Sequence, residues 1–247
     1  GDRGWALERL DFLKSCARPE FTDYGSYENI LECVKGYEHG VAAFQALAVQ
    51  GLRFLAELTP DRQYTRAANL LSRRVLELYA GGPFACLQAD GSKRVVQTVL
   101  DFVYVARSMG ADLPQEMRRG MLEFFSRELQ SADWLYALSP RDEGALTPEL
   151  PSFQRFRGDH QATGSYDGWA GRAASVLLRY GEREKALEWL RAIQKLTREG
   201  PFGQAHNVFP GGARKSSFYN GNVYFESAGC AFATTLLEDF EAVPAHA

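Results

Sequence analysis

The stretch Tyr37-Glu38-His39-Gly40-Val41-Ala42-Ala43-Phe44-Gln45-Ala46-Leu47-Ala48-Val49-Gln50-Gly51-Leu52-Arg53-Phe54-Leu55-Ala56-Glu57-Leu58 is apolar on most sides and rich in small residues. Thr59-Pro60-Asp61 closes it. The next segment, Gln63 to Tyr79, sets Arg66, Arg73, Arg74 and Glu77 on one side and Leu70, Leu71, Val75 and Leu78 on the other. A helix apolar all round is buried, whereas a helix with one charged side lies against the surface. A tight link between two such helices makes an αα-hairpin.

Outward from that pair the alternation repeats. Val95–Met109 is apolar on most sides, and Pro114–Gln130 carries Arg118, Arg119, Glu123, Arg127 and Glu128 on a charged face. Gly171–Tyr180 is small and apolar, Glu182–Arg198 is amphipathic, and Asn222–Phe240 is apolar again. Ahead of them all, Trp5–Ala17 has helical spacing and Pro19 stops it. The return loops are long: Phe21–Gly36, Gly82–Lys93, Trp134–Gly171 and Gly200–Gly229. They recur roughly every sixty residues, as stacked supersecondary units do. This predicts one all-α domain over residues 1–247, an α/α toroid of helical hairpins with about eight helices. An α-solenoid would make every helix half-buried instead. Sheet content is expected to be negligible apart from a small hairpin around Phe209–Phe218.

Composition narrows the function. Apolar residues make up 45% and charged residues 24% of the 247 positions, with a net charge of -3, so no basic footprint for nucleic acid is present. No apolar run reaches membrane-spanning length and no signal peptide is visible, so no membrane partner is expected and a cytoplasmic location is slightly favoured. Cys16, Cys33, Cys86 and Cys230 lack metal or disulfide spacing and read as free thiols. No metal and no cofactor are expected, for neither HExxH nor a phosphate-binding glycine loop occurs.

Chemistry-bearing residues crowd the loops, where binding and catalytic groups usually sit. Trp134 opens the third loop, which ends Arg157-Gly158-Asp159-His160-Gln161-Ala162-Thr163-Gly164-Ser165-Tyr166-Asp167-Gly168-Trp169. Flat rings stack on the C–H faces of a pyranose, and Asp159, His160 and Gln161 take its hydroxyls. Capping of the following helix by Asp159 or Asp167 is the simpler reading. The fourth loop carries His206 and ends Asn222-Val223-Tyr224-Phe225-Glu226-Ser227-Ala228-Gly229. Glu226 beside two aromatic rings is either a tuned acid–base carboxyl or a helix-start Glu held by the dipole. The first loop holds Asp23, Tyr24, Tyr27, Glu28, Glu32, Glu38 and His39. Glu28 and Glu32, four apart, repel on a helix unless one is neutral or both serve a ligand.

Gly164-Ser165-Tyr166-Asp167-Gly168-Trp169-Ala170-Gly171-Arg172 resembles a trehalase segment, and Glu226-Ser227-Ala228-Gly229 resembles the Glu that precedes the last inner helix in several related families. The chain as a whole resembles the six-hairpin glycosidase-like superfamily of (α/α)6 toroids. The resemblance implies a glycoside hydrolase, with Glu226 as base and Asp167 as general acid on a carbohydrate substrate. It departs in two ways: the Arg lies one residue further from Asp167, and about eight helices stand where the full toroid has twelve. The chain then corresponds to the C-terminal part, completed by an N-terminal domain or a second chain. That register moves the acid from Asp167 to Glu32 or Glu28. Tyr27, Trp134, Asp159, His160, Gln161, Tyr166, Trp169, His206 and Tyr224 are expected to bind substrate. Hydrolysis would proceed by two carboxyls, with inversion where a water fits between them.

Three other functions fit the residues. Gly211-Gly212-Ala213-Arg214-Lys215-Ser216-Ser217 suits the phosphate of a sugar phosphorylase. His39, His160 or His206 suits proton transfer in a toroidal sugar epimerase or uronate lyase. A carbohydrate-binding domain without turnover would keep the aromatic residues and lack the acid–base pair.

Overall fold

The computed structural model describes residues 3–31, 34–131, 135–145, 164–199, 205–208 and 214–216. Eight α-helices occur among them: α1 (Arg3–Glu8), α2 (Leu10–Ser15), α3 (Ala42–Leu58), α4 (Arg62–Leu76), α5 (Val99–Met109), α6 (Gln115–Phe124), α7 (Asp167–Arg179) and α8 (Arg183–Glu199). The fold is all-α. The apolar segment Asn222–Phe240 lies outside the described residues.

Helices α3 and α4 form a hairpin, α5 packs beside α3, α7 packs beside α5, and α8 pairs with α7. The row α3, α5, α7 is the buried layer. In α5 nine of eleven residues are buried, against four of fifteen in α4 and two of ten in α6. The difference follows from sequence, since α5 carries only Asp101 and Arg107 as charges while α4 is spaced by four arginines and polar residues. Helix α4 starts cleanly because Asp61 accepts a hydrogen bond from the Gln63 backbone amide at 2.9 Å, and Thr98 caps α5 through the Leu100 amide at 3.3 Å. Between the layers Phe125 stacks on Phe102 with centroids 4.3 Å apart and meets Trp189 edge-on at 5.4 Å.

Several expectations are corrected here. The segment from Trp5 to Ala17 is two short helices, α1 and α2, with a break at Arg9. Helix α3 begins at Ala42 rather than Tyr37, because Gly40 is drawn into a bridge with Leu87. It is also not buried all round. Leu47 and Phe54 are 36% and 44% exposed, so α3 keeps two large apolar side chains, seven residues apart, on one open stripe. Helix α6 continues into a π-helical turn, Phe125–Leu129, instead of running regularly to Gln130.

Sheet is also richer than expected. β1 (Ala85–Leu87) and β2 (Lys93–Val95) form an antiparallel hairpin, with Ala85 opposite Val95. β3 (Gly164–Tyr166), β4 (Ala205–Val208) and β5 (Arg214–Ser216) form a three-stranded antiparallel sheet in that order. No helix among the described residues is long and apolar enough to cross a membrane.

Candidate functional site

Because each hairpin turns tightly, α3, α5 and α7 start on the same side of the layer, and the described parts of the loops before them meet there. Gly40 and Leu87 exchange backbone hydrogen bonds at 2.9 and 3.0 Å, joining the loop before α3 to the one before α5. Thr98 bridges Leu138, joining the loop before α5 to the one before α7. Two polar groups fix that second loop. The Asp142 carboxylate accepts from the Gln97 amide at 2.7 Å. The buried Glu128 carboxylate takes Arg127 at 2.8 Å, Arg141 at 3.0 Å and the Ser139 hydroxyl at 3.3 Å. An ionised carboxylate buried to this depth needs such partners.

Beneath this loop end lies a buried acid. Asp101, third residue of α5, is 2% exposed. Its Oδ1 accepts from the Tyr37 hydroxyl at 3.0 Å and from the Ala43 amide at 3.1 Å, so it caps the start of α3 from the neighbouring helix. Its Oδ2 has no hydrogen-bond partner among the described residues. Burial raises its pKa to about 7, against the two hydrogen bonds that favour the charged form. Burial, followed by the nearby Asp101 charge, also pushes the Tyr37 hydroxyl and the Cys86 thiol well above their ordinary ranges. Cys86 is therefore an inert buried thiol, and Cys16 is free and exposed.

On the rim of the same segment Asp23 and His39 form a dyad. Both Asp23 oxygens face His39 Nδ1, at 2.9 and 3.1 Å, and Oδ1 also accepts from the Gly25 amide at 2.7 Å. The Gly25 bond, then His39, lowers the Asp23 pKa. His39 has φ of 56°, the only non-glycine residue with positive φ among those described. Two backbone bonds hold it there, His39 amide to Gly25 carbonyl at 2.7 Å and Tyr24 amide to His39 carbonyl at 3.0 Å.

The expected site residues divide into those described and those not. Tyr27 is half-buried in a 3₁₀ turn, Tyr27–Asn29, of the first loop. Tyr166 ends β3, Asp167 opens α7, and Trp169 is buried in its first turn. The pairing of Ser165 with His206 brings the His206 backbone beside that same turn. Tyr166, Asp167, Trp169 and His206 are thus neighbours at the start of α7. Glu32, Trp134, Asp159, His160, Gln161, Tyr224 and Glu226 lie outside the described residues. Among the described residues no cluster of three His, Cys, Asp or Glu is placed to hold a metal.

Asp101 was missed in the sequence, and so was the contact between Asp23 and His39, although both residues stood out in the first loop. A lone Asp in an apolar helix was a visible signal for the first, since such a group must find partners. Nothing in the spacing of Asp23 and His39 announces their contact. No family model and no curated protein matches the chain.

Proposed function

We propose that this chain is the catalytic part of a glycoside hydrolase that cleaves its substrate with two carboxyl groups and inverts the anomeric carbon. The observation that carries the reading is the convergence at the start of α7, where Tyr166, Asp167, Trp169 and the His206 strand adjoin at the end of the helical layer that bears the long loops. Loop-borne carboxylates and rings at one end of a rigid helical scaffold are the arrangement that sugar cleavage uses. In this reading Glu226 takes the proton of a water that attacks the anomeric carbon. Asp167, or Glu32 if the loops are in the alternative register, gives its proton to the leaving oxygen. The toroid itself, closed by further helices, belongs to the same proposal.

The test is release of reducing ends from a panel of oligosaccharides by the wild type and by Glu226→Gln. Turnover should fall by roughly two to four orders of magnitude in the variant while sugar binding persists. Unchanged turnover removes Glu226 from the mechanism, and turnover that requires added phosphate replaces hydrolysis with phosphorolysis.

A further inference from the structure

We infer that His39, locked by Asp23, is a hydrogen-bond acceptor site on the loop face that takes a hydroxyl of the bound sugar through its Nε2 atom. The inference rests on the carbohydrate reading above and assigns the first loop a direct part in it.

Asp23 is held ionised by the Gly25 amide and His39, and an ionised carboxylate can only accept. With both oxygens within 3.1 Å of Nδ1, the imidazole must carry its hydrogen on Nδ1. In the neutral ring the lone pair then belongs to Nε2, which makes no hydrogen bond among the described residues. This is the orienting arrangement in which a carboxylate fixes the tautomer and leaves the far nitrogen to work on a ligand. The His39 side chain is 25% exposed and its partner 63% exposed, so the dyad lies at the surface of the loop face, where a ligand reaches it.

Location and backbone add to this. His39 sits two residues before the cap of α3, at the end where α5 and α7 also begin. Its backbone is held in a left-handed conformation by the Gly25 and Tyr24 bonds, and that conformation sets the direction of the ring. Tyr37 and Ala43, on either side, are tied down by the buried Asp101. The ring is thus carried on a segment anchored at both ends, as a binding group should be. An acceptor nitrogen recognises a donor, and on a sugar the donor is a hydroxyl.

A loop staple would use the same Asp23–His39 bond, and His39→Asn separates the two roles. The Asn amide nitrogen takes the place of Nδ1 and still donates to Asp23, and Asn tolerates positive φ, but nothing replaces Nε2. Wild type and variant are titrated with maltose, cellobiose, trehalose and galacturonate, with tryptophan fluorescence reporting binding and ring ¹⁵N shifts reporting His39. The wild type should show an Nδ1-protonated ring whose Nε2 resonance moves with the sugar that binds. His39→Asn should melt within a few degrees of the wild type and bind that sugar about three- to tenfold more weakly, the worth of one hydrogen bond. Equal affinity in the variant, or a sugar that binds without moving Nε2, makes the pair a staple and overturns the inference. The ring measurement needs only the wild type, so it decides even if the variant does not fold. If no sugar binds the wild type, the carbohydrate reading fails first, and the ligand class assigned to His39 falls with it.

Discussion

Replacing Asp101 with Asn should remove a pH dependence from the stability of this fold. In the folded chain the carboxyl titrates near 7 because it is buried, while in the unfolded chain it returns to about 3.8. Between those values the folded form keeps its proton and the unfolded form releases it. Stability therefore falls as pH rises, by about 1.4 kcal/mol per unit at most, and levels off once both forms are ionised. Over the whole window the shift amounts to something on the order of 4 kcal/mol. Asn keeps an oxygen for the Tyr37 hydroxyl and the Ala43 amide and carries no charge. Its amide group stands where Oδ2 has no partner, which costs about 1–3 kcal/mol at every pH. The variant should be less stable than the wild type at pH 5 and gain on it steadily, by about 2–3 kcal/mol between pH 5 and 7. Urea unfolding followed by circular dichroism at pH 5, 6, 7 and 8 measures both. Only the difference between the two proteins matters, because other groups titrate equally in each. A difference that stays constant with pH would refute the reasoning and show that Asp101 is ionised throughout.

Three further outcomes are expected from denaturant melts. Phe125→Ala empties the space between the Phe102 stack and the Trp189 edge and should cost about 3–5 kcal/mol. Gly82→Ala forces a side chain onto φ of 148° and sets its Cβ 2.6 Å from Phe124 Cβ, so a loss of about 2–3 kcal/mol is expected where an exposed Gly→Ala change would gain. Asp61→Ala removes the cap on α4 and should cost about 1 kcal/mol, with Asp61→Asn restoring most of it.

The buried and the more exposed helices were readable because burial follows charge, and a helix such as α5, with two charges, has nowhere to go but inside. The start of α3 was not readable in the same way. Tyr37–Val41 continues its apolar pattern, yet Gly40 pairs with Leu87 and His39 turns left-handed, so a contact with a strand nearly fifty residues away ends the helix. That strand belongs to a hairpin with a legible signal: Asp90-Gly91 between Ala85–Leu87 and Lys93–Val95, with Gly91 at φ of 82°. The open stripe of α3 has a different cause. Sequence shows that a side is apolar but not whether a neighbour is present to cover it. At the site, Asp167, Tyr166 and Trp169 are adjacent in sequence and so were found together. His206 joins them only through the pairing of β3 with β4, and Asp23 meets His39 only through the backbone bonds between Tyr24, Gly25 and His39.

The π-helical turn at the end of α6 makes one stretch of this chain intolerant of a change in length. The Gln130 amide reaches back five residues to the Phe125 carbonyl at 2.8 Å, so Phe125–Leu129 holds one residue more than an ordinary α-helical path would. Deleting one exposed residue there, Ser126 for example, would let the helix close regularly and rotate everything beyond it by about 100°. Glu128 would swing away from Ser139 and Arg141, and Gln130 would leave its bridge with Leu135. Surface connections elsewhere absorb insertions and deletions into solvent. Here the count of residues is kept inside a helix, and the phase of the loop that leads toward α7 is set there.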